Sequence, residues 1–146
     1  MKFADFFPGQ VIDAGPYLLT QEELVAFARA WDPQWFHTDA AAADNGHHQG
    51  LISSGWQTCC IAMRLVALAA LEGSESFASP GLNYVKWRHP VRPDDSLHLR
   101  ATVLEVRRSS TKPDLGIITW RWQLFKQANV EVLDLEATSL FKLSNT

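Results

Sequence analysis

At 146 residues the chain has room for one domain with a real core but not for two, so residues 1–146 are read as a single domain with no internal boundary. Its composition, 47% apolar and 20% charged, is ordinary for a globular protein. A net charge of −3 and a pI of about 5.9 leave no electrostatic footprint for nucleic acid or an anionic membrane.

The first ten residues, MKFADFFPGQ, place an acid and a proline where an export signal needs unbroken apolar residues, and a cytoplasmic protein is expected. Val11 to Leu19, broken by Gly15-Pro16, predicts a short edge strand. Thr20 followed by Glu23 is a capping box that starts a helix over residues 21–31, with Leu24, Phe27, Ala28 and Trp31 on its apolar stripe. The Asp32-Pro33 pair stops it, because proline biases the residue before it away from helical dihedrals. From there to Ser53 the pattern has no period; Ala40 to Ala43 can form a helical turn, and residues 45–50 read as loop. A loop this long in a small domain is more often functional than idle.

Ser53 or Ser54 can cap the next helix, which begins at Gly55 and ends near Glu72-Gly73. Apart from Gln57, Thr58 and Arg64 it is apolar on every side, so it needs wrapping. It falls short of the roughly 20 apolar residues that would cross a bilayer. Cys59 and Cys60, adjacent within it, read as small buried hydrophobes rather than a disulfide or a zinc site. The wrapping is expected from four strands in the second half of the chain. The first covers residues 82–91, with Val85 and Trp87 on one face and Tyr84, Lys86 and Arg88 on the other. Leu97, Leu99, Ala101 and Val103 mark the second, and Ile118, Trp120, Trp122 and Leu124 the third. The fourth has Leu133, Leu135, Ala137, Phe141 and Leu143 inward and Asp134, Glu136, Thr138 and Lys142 outward. Two helices followed by such strands imply an α+β domain with a mainly antiparallel sheet.

The stretch that carries chemistry is FARAWDPQWFHTD, where Asp32 and His37 stand as two acid/base side chains around the break in the helix. Taken singly, Asp32 reads as a helix terminator and His37 as a structural hydrogen-bonder. Together, on a short irregular segment, they read as a site of proton transfer. His47 and His48 with Asp44 lack the spacing that puts metal ligands on one face and read as a solvated loop, while His89 and His98 read as structural strand residues. No metal is expected.

This stretch, with GLISSGWQT from Gly50 and KWRHPVRPDDSL from Lys86, resembles in order the signature segments of MaoC-like dehydratases, the hydratase 2 family of (R)-specific enoyl-CoA hydratases. Gln34 and Trp35 stand where that family often has Asn-Pro, and Cys60 stands where some members place a serine. The resemblance implies a hot-dog fold, a long helix wrapped by a curved antiparallel sheet, usually as a homodimer. It also implies an acyl thioester substrate on coenzyme A or an acyl carrier, with no other cofactor. Asp32 and His37 would then be the acid–base pair. The thioester oxygen, which gains charge as the α-carbon loses its proton, would be held at the helix N-terminus by the amides near Gly55 and Trp56, with Ser54 as a polar contact. Lys86 and Arg88, and beyond them Arg107, Arg108 and Lys112, are candidates for the phosphates of coenzyme A. A hot-dog thioesterase and a non-catalytic acyl-binding subunit are the competing readings. The Tyr-x-Asp-x-Asp pattern of the first is absent, and the intact pair argues against the second.

Overall fold

A computed structural model describes residues 1–144 of the chain. After a short 3-10 turn, β1 (Val11–Leu18) leads into α1 (Gln21–Trp31), α2 (Trp35–Thr38) and α3 (Ala40–Asp44). Then follow α4 (Gly55–Val66), prolonged by a π-helical turn over Ala67–Leu71, and β2 (Ser76–Ala78), β3 (Leu82–Lys86), β4 (Ser96–Arg108), β5 (Leu115–Lys126) and β6 (Val130–Lys142). The six strands form one antiparallel sheet in the order β1-β4-β5-β6-β2, with β3 also paired to β6. It is the α+β, hot-dog arrangement: the sheet packs one face onto α4.

Strict alternation explains the sheet. Leu97, Leu99, Ala101 and Val103 of β4, Ile118, Trp120, Trp122 and Leu124 of β5, and Leu133, Leu135, Ala137 and Phe141 of β6 are all buried in one core. A period of two sends every second side chain to the same face, and antiparallel register lays these sets side by side. Trp120 and Trp122 are thus core residues, as their positions predict, and Trp120 donates its indole N–H to the Ser139 hydroxyl at 3.1 Å. Asp134 does leave the core face, but it is not solvated: Arg121 covers it in a two-pronged contact, 2.9 Å on each oxygen, with Tyr84 at 3.0 Å and Arg88 at 3.2 Å.

The helices depart from expectation in three ways. Thr20 accepts from the Glu23 amide at 3.2 Å, but the Glu23 carboxylate turns to the Tyr17 hydroxyl instead of completing the capping box. Trp31, placed on the apolar stripe, is exposed, because the helix ends there and only Leu24 and Ala28 are fully buried. Most consequentially, the sheet covers only one side of α4: Ile61, Ala62, Leu65 and Val66 are buried, whereas Trp56, Met63 and Leu68 are exposed. Cys60 is therefore exposed and Cys59 only half-buried, which corrects the expectation that both lie in the core.

Two strand boundaries were also not as expected. Ser76–Ala78 forms a further strand, too short to show alternation, and β3 stops at Lys86 rather than running to Val91. Trp87 turns out of the sheet and donates its indole N–H to the carbonyl of Gly55 at 3.0 Å. Among the described residues no helix is long and apolar enough to cross a membrane.

Candidate active site

Asp32 is the C-cap of α1, at φ −149° and ψ 69°, a conformation that breaks the helix and lets a new one-turn helix begin at Trp35. His37 thus lies in a helical turn rather than in irregular chain. Two hydrogen bonds fasten that turn to the segment before α4: the Ile52 amide donates to the Phe36 carbonyl at 3.2 Å, and His37 Nδ1 meets the Ile52 carbonyl at 2.6 Å. The other ring nitrogen, Nε2, lies 3.2 Å from Oδ2 of Asp32.

This geometry fixes the proton inventory. A carbonyl only accepts, so Nδ1 carries a hydrogen; the Nε2 lone pair and the Asp32 carboxylate would then face each other as two acceptors. A proton held along the Nε2–Oδ2 line satisfies both. Burial opposes the charge on Asp32, whose side chain is 16% exposed. The Gln34 amide, 2.7 Å from Oδ1, together with the neighbouring Ser54 hydroxyl and His37, outweighs that burial and holds the carboxyl below its ordinary range. The Ser54 hydroxyl is fully buried and, among the described residues, makes no regular hydrogen bond, so its effect on Asp32 is that of a nearby dipole.

The N-terminus of α4 supplies donors. The first amides of a helix have no intrahelical acceptor, and here Gln57 and Thr58 turn theirs back to the Ser54 carbonyl, at 3.0 and 3.4 Å. Among the described residues those of Gly55 and Trp56 have no acceptor. A cavity of about 280 Å³ lies against this end of the helix, walled by His37, Ser53, Gly55, Thr58, Trp87 and His89 among others. Asp32 stands behind His37 and does not line it. A wider, open concavity of about 1000 Å³ runs along the outer side of α1 past Arg29, Pro33 and Thr38, but neither member of the pair lines it. Of the two, only the smaller cavity meets both His37 and the amino end of α4.

Arg88 reaches the wall of that cavity, with its guanidinium shared between Asp134 at 3.2 Å and Glu131 at 3.7 Å. Lys86 lies over the Tyr84 ring at 5.1 Å, away from the cavity. Arg107 pairs with Glu105 and Arg108 with the Pro113 carbonyl, toward the turn between β4 and β5. Among the described residues no three His, Cys, Asp or Glu side chains converge as metal ligands.

Four residues enter the site unannounced by sequence. His48, read as loop, packs near Phe36 and lines the cavity; Arg92 donates to its carbonyl at 2.6 Å and so pins the loop. His89, read as a strand residue, lies beyond the end of β3, donates Nδ1–H to the Glu131 carbonyl at 2.8 Å and also lines the cavity. Trp87 covers Gly55. Only the turn chemistry of WRHP hinted that the strand stops early.

A family model described as "MaoC like domain" matches residues 5–119. The uncharacterized protein YdeM of Bacillus subtilis is 31% identical over 142 residues, covering 97% of this chain and 99% of its own. Among solved structures, a MaoC-like dehydratase from Rhodospirillum rubrum is similar at 31% identity and a TM-score of 0.89, with 98% of this chain and 97% of that one covered. An (R)-hydratase from A. caviae involved in PHA biosynthesis shares the fold at 22% identity and a TM-score of 0.74, over 95% of this chain and 98% of its own.

Proposed function

The chain belongs to the MaoC-like domain family, and on that premise we propose that it catalyses the reversible hydration of trans-2-enoyl thioesters to (R)-3-hydroxyacyl thioesters. The observation that carries the reading is His37 Nε2 at 3.2 Å from the Asp32 carboxylate, on a cavity that also meets the amino end of α4.

In the hydration direction a water enters from the cavity between His37 Nε2 and the Asp32 carboxylate, in place of their direct contact, and loses a proton to the pair as its oxygen bonds to C3. The electron pair of the double bond moves toward the thioester carbonyl, and the amides of Gly55 and Trp56, beside Ser54, stabilise the oxyanion. The pair then returns a proton to C2, so one proton leaves water and one reaches carbon. A positioned acid–base group contributes about 10²–10⁴-fold and one oxyanion donor about 10²–10³-fold. The acyl group is carried on coenzyme A or an acyl carrier, with no further cofactor, and Arg88 is the best placed of the phosphate candidates because it stands at the cavity wall. Coenzyme A thioesters are met in the cytoplasm, and that is where this reading puts the protein.

Loss of enoyl absorbance on adding protein to crotonyl-CoA, with chiral analysis of the product, tests the proposal. Asp32→Asn and His37→Ala are each expected to lower kcat by at least about a hundredfold. Undiminished turnover in either variant would sink the mechanism, and release of free thiol would point to a thioesterase instead.

A further inference from the structure

Ile52, whose carbonyl orients His37, lies in no helix or strand, so its position depends on ties made by neighbouring residues. Residues 48–53 lead from the loop after α3 to the start of α4, and two consecutive residues of the β3–β4 connection hold both ends of that stretch. At one end the Ser53 amide donates to the Val91 carbonyl at 2.8 Å; at the other the Arg92 guanidinium donates to the His48 carbonyl at 2.6 Å. Between these ties Ile52 makes both of its contacts to the His37 turn, its amide to the Phe36 carbonyl and its carbonyl to His37 Nδ1.

Arg92 is itself anchored. Its amide donates to the Asp95 carboxylate at 2.8 Å, and that buried carboxylate is held in turn by Gln127 at 2.6 Å and Lys126 at 3.6 Å, at the end of β5. Among the described residues the half-buried Arg92 side chain makes no ion pair, and the bond to His48 is its one hydrogen bond. Gly50 fits the same contact: a β-carbon there would come within 3.2 Å of Arg92 Nη1, and its φ of +142° is one that other residues rarely adopt. A hydrogen bond from a charged donor is roughly twice as strong as a neutral one, so this single bond is a substantial part of what ties down the stretch.

We infer that Arg92 is a positioning residue: by clamping the His48 carbonyl it keeps the Ile52 carbonyl on His37 Nδ1, and so keeps Nε2 turned toward Asp32. Its value for catalysis rests on the hydratase reading, but the main test does not require turnover. In full-length protein carrying nitrogen-labelled histidine, the Nδ1 proton of His37 is the imidazole NMR signal missing from His37→Ala, and its exchange with water is timed. Arg92→Met keeps the stem and removes the donors. It is expected to speed exchange by at least about tenfold, the order that follows from losing one hydrogen bond of a charged group. Arg92→Lys restores a charged donor and should recover most of the wild-type rate. Ser139→Ala strips the Trp120 indole of its acceptor in the core, outside the clamp, and should leave the rate as it is. The kcat for crotonyl-CoA should fall about tenfold in Arg92→Met and return in Arg92→Lys. If the methionine variant does not fold, Arg92→Gln decides.

Wild-type exchange in the folded Arg92 variants, equal acceleration by Ser139→Ala, or a wild type with no proton on His37 Nδ1 overturns the inference. The expected exchange rates in a protein that hydrates no enoyl-CoA defeat the hydratase reading and leave the clamp standing. Hydration of crotonyl-CoA with exchange rates that the variants do not move does the reverse.

Discussion

At the scale of single residues, Asp32 is the group whose environment can be read most directly. Its carboxyl is burdened by burial and relieved by Gln34, Ser54 and His37, with the net effect of holding it below the ordinary carboxylate range. A lowered folded pKa keeps the ionised form populated to lower pH, and the stability and function tied to that charge are lost only as pH falls through the lowered value. The acid limb of kcat/KM for crotonyl-CoA hydration is therefore expected below the ordinary Asp value of about 3.9. Ser54→Ala should move that limb upward, since it removes a hydroxyl that favours the charge. A pH profile identical to wild type would remove Ser54 from the site. Asp32 and His37 were legible in the sequence because two titratable groups flank a proline that interrupts a helix. The tautomer that couples them was not, because it depends on the Ile52 carbonyl, fifteen residues beyond His37.

At the scale of elements, β3, β5 and β6 are joined on the face away from α4 by one carboxylate. Asp134 is 2% exposed, and hydrogen bonds from Arg121 above all, then from Tyr84 and Arg88, hold its pKa down at about 2 against the opposing effect of burial. The same contact raises the Arg121 guanidinium above its ordinary value. Because the folded pKa is depressed, the contribution is fully present above the unfolded value of about 3.9 and disappears as pH falls through about 2. Arg121 is partly exposed, so after allowance for solvent screening the linkage is worth roughly 1–2 kcal/mol. Asp134→Asn should lower urea-denaturation stability by roughly that amount at neutral pH, with the gap to wild type closing on acidification; a gap of constant size would mean the loss is one of packing, not of charge.

The strands that carry this network were legible because alternation is a local property of the chain. β4, β5 and β6 each span twelve or more residues with one apolar face. The end of β3 was not legible. Val85 and Trp87 keep the alternating pattern, yet Trp87 is claimed by Gly55, thirty-two residues away, and no local pattern encodes that contact. His48 and His89 were missed for the same reason, since each becomes a cavity residue only through a partner distant in sequence, Arg92 for the first and Glu131 for the second.

At the scale of the whole molecule, the apolar character of α4 on every side is only half used by the chain's own sheet. Trp56, Cys60, Met63 and Leu68 form an exposed stripe on the flank turned away from the core, and Trp87, edge-to-face with Trp56, extends it toward the sheet edge. A patch of this kind on a folded chain marks an interaction surface. We propose that a second copy covers it, because a twofold contact brings the same stripe of two chains together and needs no other partner. A stable interface of this kind buries about 800 Å² per partner. Sedimentation should then give twice the 16.4 kDa chain mass for the wild type. Met63→Glu combined with Leu68→Glu, which buries two charges in the contact and leaves the chain's own core untouched, should give the single-chain mass with little loss of secondary structure. Neither residue lines the cavity of His37, so a fall in crotonyl-CoA hydration that tracks dissociation would mean the second copy completes the acyl site. A wild type that sediments as a single chain would instead leave α4 half-covered, and the stripe would then need a different partner.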